Sequence, residues 1–150
     1  MKPTELHFAL ALQAVPSIGD ITAKKLIQHC GSPEAVFKSS KQALQSIDGI
    51  GTVIINALYR SETMNLAEKE LEFIQKNDIQ AFYFNDDNYP YRLKHCIDGP
   101  IVLFQKGNIK WEGSPVISIV GTRKLTSYGK KQCENLIKEL SVFNPIVVSG

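Results

Sequence analysis

Apolar positions recur at helical spacing in the first half of the chain and bunch into short continuous runs in the second. Leu6, Ala9, Leu10 and Ala14 fall on one helical stripe, with Thr4 ahead of them as a cap. Pro16-Ser17-Ile18-Gly19 stops that helix. Thr22–Cys30 predicts a second helix, with Gly31 as its left-handed C-terminal residue. Ser32-Pro33-Glu34 combines a cap, a proline at the first helical position and an acid at the positive end of the dipole. Short helices follow through Val36-Phe37 and Ala43-Leu44. Ile47-Asp48-Gly49-Ile50-Gly51 is a second tight turn. One long helix is expected from Val53 to Gln75, with Met64, Ala67, Leu71 and Ile74 on one face.

From Ile79 the period changes. Residues 81–84 are strand-like, 85–88 form a polar turn and 90–96 a short helical turn. A strand over 100–104 and a turn over 106–108 come next. Pro115 to Val120 is a continuous apolar run, which predicts a strand buried on both faces. A helix over 127–143, capped by Ser127, and a strand over 146–148 complete one βαβ unit. The fold class is therefore α plus α/β. A helical domain, 1–78, is followed by a parallel-sheet domain, 79–150, whose strands near 101–104, 116–120 and 146–149, joined by 81–84, share one sheet.

Composition changes this picture little. The chain has 150 residues, 43% hydrophobic and 21% charged, as soluble globular domains do. No apolar run reaches 18 residues, so no membrane-spanning helix is expected and the cytoplasm is the expected location. The apolar stretch Phe8–Leu12 faintly imitates a signal peptide, but Glu5 and His7 precede it and suit a helix better. Cys30, Cys96 and Cys133 have neither a CxxC pair nor zinc spacing, and read as reduced structural thiols. His7, His29 and His95 are scattered. No metal, cofactor or nucleophilic triad is called for.

Charge is informative through its placement. Residues 1–85 carry 8 Lys/Arg and 9 Asp/Glu, whereas residues 86–150 carry 9 and 6. Arg123, Lys124, Lys130 and Lys131 occur without an intervening acid. They flank the segment where a strand ends at Gly121 and a helix begins. The carboxyl end of a parallel strand is where α/β sheets bind ligands. Gly121 lets a backbone approach an anion, Arg123 offers a phosphate-matching fork, and the helix start offers free amides. Tyr128 either stacks on a base or packs on the sheet. The spacing is not GxGxxG, and no acid ends the next strand, so a dinucleotide cofactor is not supported.

The chain also repeats itself. Val15-Pro16-Ser17-Ile18-Gly19 aligns with Ile47-Asp48-Gly49-Ile50-Gly51, each leading into a helix. The repeat resembles the helix-hairpin-helix motif, in which Gly19, Gly49 and Gly51 would offer bare amides to a phosphate. The first copy has Ser17 where the motif takes Gly, with Lys24 and Lys25 after it; the second has no base until Arg60. DNA binding by this half and a purely structural or protein-binding role both remain open.

Gly121-Thr122-Arg123, Ser127-Tyr128-Gly129 and Val147-Val148-Ser149-Gly150 resemble the Rossmann-domain signature of the DprA (Smf) family, DNA-processing proteins of natural transformation. Asn88-Tyr89-Pro90 to Leu93, then Asp98-Gly99-Pro100 to Phe104 and Gly107, is similar to the stretch preceding that domain. The front end resembles the family's paired-hairpin, SAM-like domain. The resemblance implies a non-catalytic protein that binds single-stranded DNA through an extended Rossmann domain and loads RecA recombinase. It places Gly121, Thr122 and Arg123 on a backbone phosphate, Ser127, Tyr128 and Gly129 around the same pocket, and Ser149 and Gly150 on its opposite wall. Charge and proximity add Lys124, Lys130 and Lys131. Family members continue past the Ser-Gly pair with further strands and a dimer surface, so a fragment is expected, with RecA loading and a homodimer belonging to the full-length protein. A phosphoribohydrolase-type nucleotide enzyme and a protein-interaction module are the alternatives.

Overall fold

In the computed structural model, which describes residues 3–59, 62–108 and 113–149, the chain divides into two units, Met1–Gly107 and Asn108–Gly150. The first is organised around α1 (Pro3–Gln13). Ala9, Leu10, Ala11 and Leu12 are all buried, and four consecutive buried residues leave a helix no solvent stripe. Around it stand α2 (Asp20–Cys30), α3 (Pro33–Lys38), α4 (Lys41–Gln45), α5 (Thr52–Leu58) and α6 (Glu62–Lys76). Leu12, Leu26, Val36, Leu44 and Ile55 are fully buried, each stabilising the unit by roughly 1.5–3 kcal/mol.

Local signals account for the breaks. The Ser32 and Ser40 hydroxyls accept from the amides of Ala35 and Ala43, at 3.1 and 3.2 Å, and so start α3 and α4. Gly31 ends α2 at φ +94°, as its place in the sequence predicts. The long helix expected over 53–75 is instead two, because its halves serve different neighbours. Ile55, Ala57 and Leu58 of α5 are buried beside α4, whereas α6 packs along α1. The Tyr59 hydroxyl donates to the Ser39 carbonyl where α5 ends.

The two repeated turns match in their backbone geometry. Ser17 and Gly49 are left-handed, at φ +69° and +77°. Ile18 and Ile50 donate to the carbonyls of Val15 and Ile47 at 3.2 and 3.1 Å. Gly19 and Gly51 then cap α2 and α5 with φ −88° and no side chain on the first-turn amides. Lys25, in α2, ties the copies together by donating to the Asp48 carbonyl and facing its carboxylate at 3.3 Å.

Strands β1 (Ile79–Tyr83) and β2 (Val102–Lys106) pair antiparallel, from Ile79 opposite Lys106 to Tyr83 opposite Val102. They belong to the first unit and form a sheet of their own, which corrects the expectation that they join the parallel strands. The reason is apolar: Tyr83, Ile101 and Val102 are buried in the helical core. Asp20 reinforces this by accepting from the Ile101 amide at 2.9 Å. The change of period at 78/79 thus falls inside the first packed unit. Between the strands, α7 (Tyr91–Lys94) sits in a loop braced by Tyr89, whose hydroxyl donates to the Pro100 carbonyl at 2.7 Å.

The second unit is β3 (Val116–Ile119), α8 (Ser127–Leu140), a 3-10 turn over Ser141–Phe143 and β4 (Ile146–Ser149). β3 and β4 are parallel, from Val116 opposite Ile146 to Ile119 opposite Ser149. The helix stops at Leu140 and tightens into the 3-10 turn, closed by Asn144 at φ +46°. Burial on both strand faces is not found. Ile117, Ile119 and Ile146 are half-buried, while Val116, Val147 and Val148 are exposed. Two strands with one helix have a single face to bury.

Gly49→Ala should destabilise the first unit by about 1 kcal/mol, the left-handed penalty, while Ser17→Gly should leave stability unchanged or raised; urea unfolding of both variants checks the pair. Burial raises the Tyr89 hydroxyl, with Asp20 and Cys96 adding to it, to a pKa of about 12. Its stabilising contribution is therefore complete below about pH 10, the unfolded value, and is lost as pH rises toward 12. Unfolding midpoints measured across that window should fall less steeply in Tyr89→Phe than in wild type.

Candidate functional site

A parallel pair needs a crossover, and this one brings three features to one end of the second unit. Strand β3 ends at Ile119, Ser149 lies opposite it, and α8 begins at Ser127 after a short loop. The Thr122 hydroxyl donates to the Lys124 carbonyl at 2.8 Å and folds that loop on itself. Thr126, extended at φ −76° and ψ 157°, accepts the Gly129 amide on its hydroxyl at 3.1 Å. Thr126, not Ser127, is therefore the cap; Ser127 already has helical backbone. The Thr was there to be read, one residue before the expected helix start.

The two glycines differ in what surrounds them. A Cβ at Gly121 would meet nothing within 4 Å, and its backbone is not left-handed. The fold leaves the site open there without demanding the residue. A Cβ at Gly129 would lie 3.3 Å from the Thr126 hydroxyl, so this glycine protects the cap.

Gly121, Thr122, Arg123, Lys124, Ser127 and Tyr128 are all exposed at this end, and Ser149 is exposed at the tip of β4. Tyr128 is 73% exposed, which removes the alternative that its ring packs on the sheet. Lys130 lies 3.9 Å from Glu134 one turn on, a weak, solvated pair. Among the described residues no carboxylate pairs with Arg123, Lys124 or Lys131. The cluster is a cationic loop beside a helix N-terminus, with an open ring next to it. Gly150 lies outside the described residues, as does Arg60. Gly19, Gly49 and Gly51 lie in the first unit, within the turns described above.

This end of the βαβ unit is basic and open, and it lies at the carboxyl end of a parallel strand, where α/β sheets hold ligands. Residues 80–150 match the model of the family described as DNA recombination-mediator protein A, which together with the relatives below supports the DprA/Smf family for this chain. A protein named Smf from Synechocystis is 27% identical over the full chain and 39% of its own length. DNA processing proteins DprA from Streptococcus pneumoniae and Bacillus subtilis are each 36% identical, over 47% and 51% of this chain. The chain spans 39% of the first of these relatives and 24% and 26% of the other two.

Thr126→Ala removes the hydroxyl that accepts the Gly129 amide and should cost about 1 kcal/mol. Amide exchange at 127–130 should accelerate before that of the rest of α8; equal protection in both proteins would contradict the capping role.

Proposed function

We propose that this chain is part of the DNA-processing machinery of recombination and holds single-stranded DNA through the loop and helix start over 121–131. The single observation behind this reading is Arg123, without a carboxylate partner among the described residues, just ahead of the α8 start in a chain that resembles recombination mediators. Its guanidinium matches a phosphodiester in shape and charge, and the exposed Tyr128 ring offers a stacking surface to a neighbouring base. Gly121, Thr122, Ser127 and Gly129 line the approach, Ser149 flanks it, and Lys124, Lys130 and Lys131 raise local strand concentration.

On the same reading, the paired turns of the first unit are helix-hairpin-helix motifs of a SAM-like domain over 1–78. Residues 79–150 then open an extended Rossmann-like domain, whose leading antiparallel pair, β1–β2, packs on the helices of the first unit. The matching turn geometry supports the first of these, and the parallel β3–α8–β4 unit supports the second. Loading of RecA, a homodimer and a cytoplasmic setting belong to the same reading. Among the described residues no helix is long and apolar enough to cross a membrane.

Fluorescence anisotropy with a labelled dT oligomer tests the site. Binding should weaken with salt, with a logarithmic slope of about −0.7 per phosphate neutralised. Arg123→Ala should weaken it and lower that slope by close to one contact. Binding of Arg123→Ala equal to wild type at low salt would place the strand elsewhere.

A further inference from the structure

The first unit holds a second basic feature, remote in sequence from the loop just discussed. An open cleft of about 600 Å³ lies between α2 and the loop after α7. Its lining includes Lys24, Lys25, Lys94, His95 and Phe84, and no carboxylate. Lys24 donates to the carbonyls of Cys96 and Ile97 at 3.0 and 3.1 Å, and its ammonium lies 5.7 Å from the centre of the Phe84 ring. These contacts fix the ammonium without cancelling its charge, and leave one of its three donors free. The Asp48 carboxylate facing Lys25 is fully exposed, so it holds that lysine loosely. At the rim, Tyr91 is 73% exposed and stacks edge-on with His95, ring centres 4.5 Å apart.

Lysines fixed by backbone contacts beside an open aromatic pair form a strand-binding surface: cations take phosphates, and rings take bases regardless of sequence. An acidic peptide would use the lysines but has no need of the rings. We propose that this cleft is a second contact for single-stranded nucleic acid, with a phosphate held by Lys24 and Lys94 and a base on the Tyr91–His95 pair. The proposal rests on the DNA-binding reading above, but its residues are separate from Arg123, so the two succeed or fail independently.

The test is anisotropy of the 150-residue chain with a labelled dT oligomer, comparing Lys94→Gln, Lys94→Glu, Tyr91→Ala and Arg123→Ala. Lys94 and Tyr91 are exposed, and thermal melts followed by circular dichroism confirm that each variant folds. Tyr91→Ala should weaken binding about fivefold or more, the usual loss of one stacked base. Lys94→Gln should lower the salt slope by about one contact, and Lys94→Glu should weaken binding further. If Arg123→Ala weakens binding while the Lys94 and Tyr91 variants match wild type, this contact is overturned and the first site stands. The converse pattern upholds the cleft and removes the first site. No binding by wild type overturns both. Competition by a poly-glutamate peptide, with Tyr91→Ala unaffected, would assign the cleft to an acidic polypeptide and overturn the proposal.

Discussion

Every helix start leaves backbone amides without a partner inside the helix, and this chain resolves that constraint in two ways. Where Ser32, Ser40 or Thr126 precedes the helix, a hydroxyl accepts an amide and the start is closed locally. Where Gly19 or Gly51 precedes it, no side chain does so. The first solution fixes where α3, α4 and α8 begin, and through α8 it fixes the loop that carries Arg123. The second repeats one turn twice, at Ser17 and Gly49, and sets α2 at the angle from which Lys25 reaches Asp48.

The two units use their polar groups differently. In the first, polar contacts between distant segments hold a strand pair against helices. Asp20 takes the Ile101 amide, Lys24 takes two carbonyls of the α7 loop, and Tyr89 takes the Pro100 carbonyl. In the second, the described polar contacts at the β3–α8 end are local, and the basic side chains stay in solvent. A loop shaped by its own backbone and by Thr122 presents cations without neutralising them. Such a loop suits the proposed ligand, whose charge is repeated and whose sequence varies.

Much of this was legible in the residues. Capping at Ser32, the left-handed Gly31, the repeat of turns and the β3–α8–β4 order all follow from short-range rules that depend on a few neighbouring residues. What escaped notice depends on distant contacts. Nothing local distinguishes one helix over 53–75 from two; the break reflects α5 facing α4 while α6 follows α1. Nothing in Pro115 to Val120 says which face a second layer will cover. The pairing of β1 with β2 rests on Tyr83, Ile101 and Val102 joining a helical core whose members extend back to Ala9. At the site, the loop and its charges were readable, but the cap was assigned one residue late. The α2–α7 cleft was not visible at all, because Lys24 and Lys94 meet only through folding.

The proposed site puts a strand of DNA on the Arg123 loop at the start of α8. Mapping amide chemical shifts of the ¹⁵N-labelled chain during titration with a dT oligomer tests it most directly. The account predicts the largest perturbations at 121–129, saturating with the oligomer and abolished there by high salt. Saturating perturbations that leave 121–129 unmoved would contradict it.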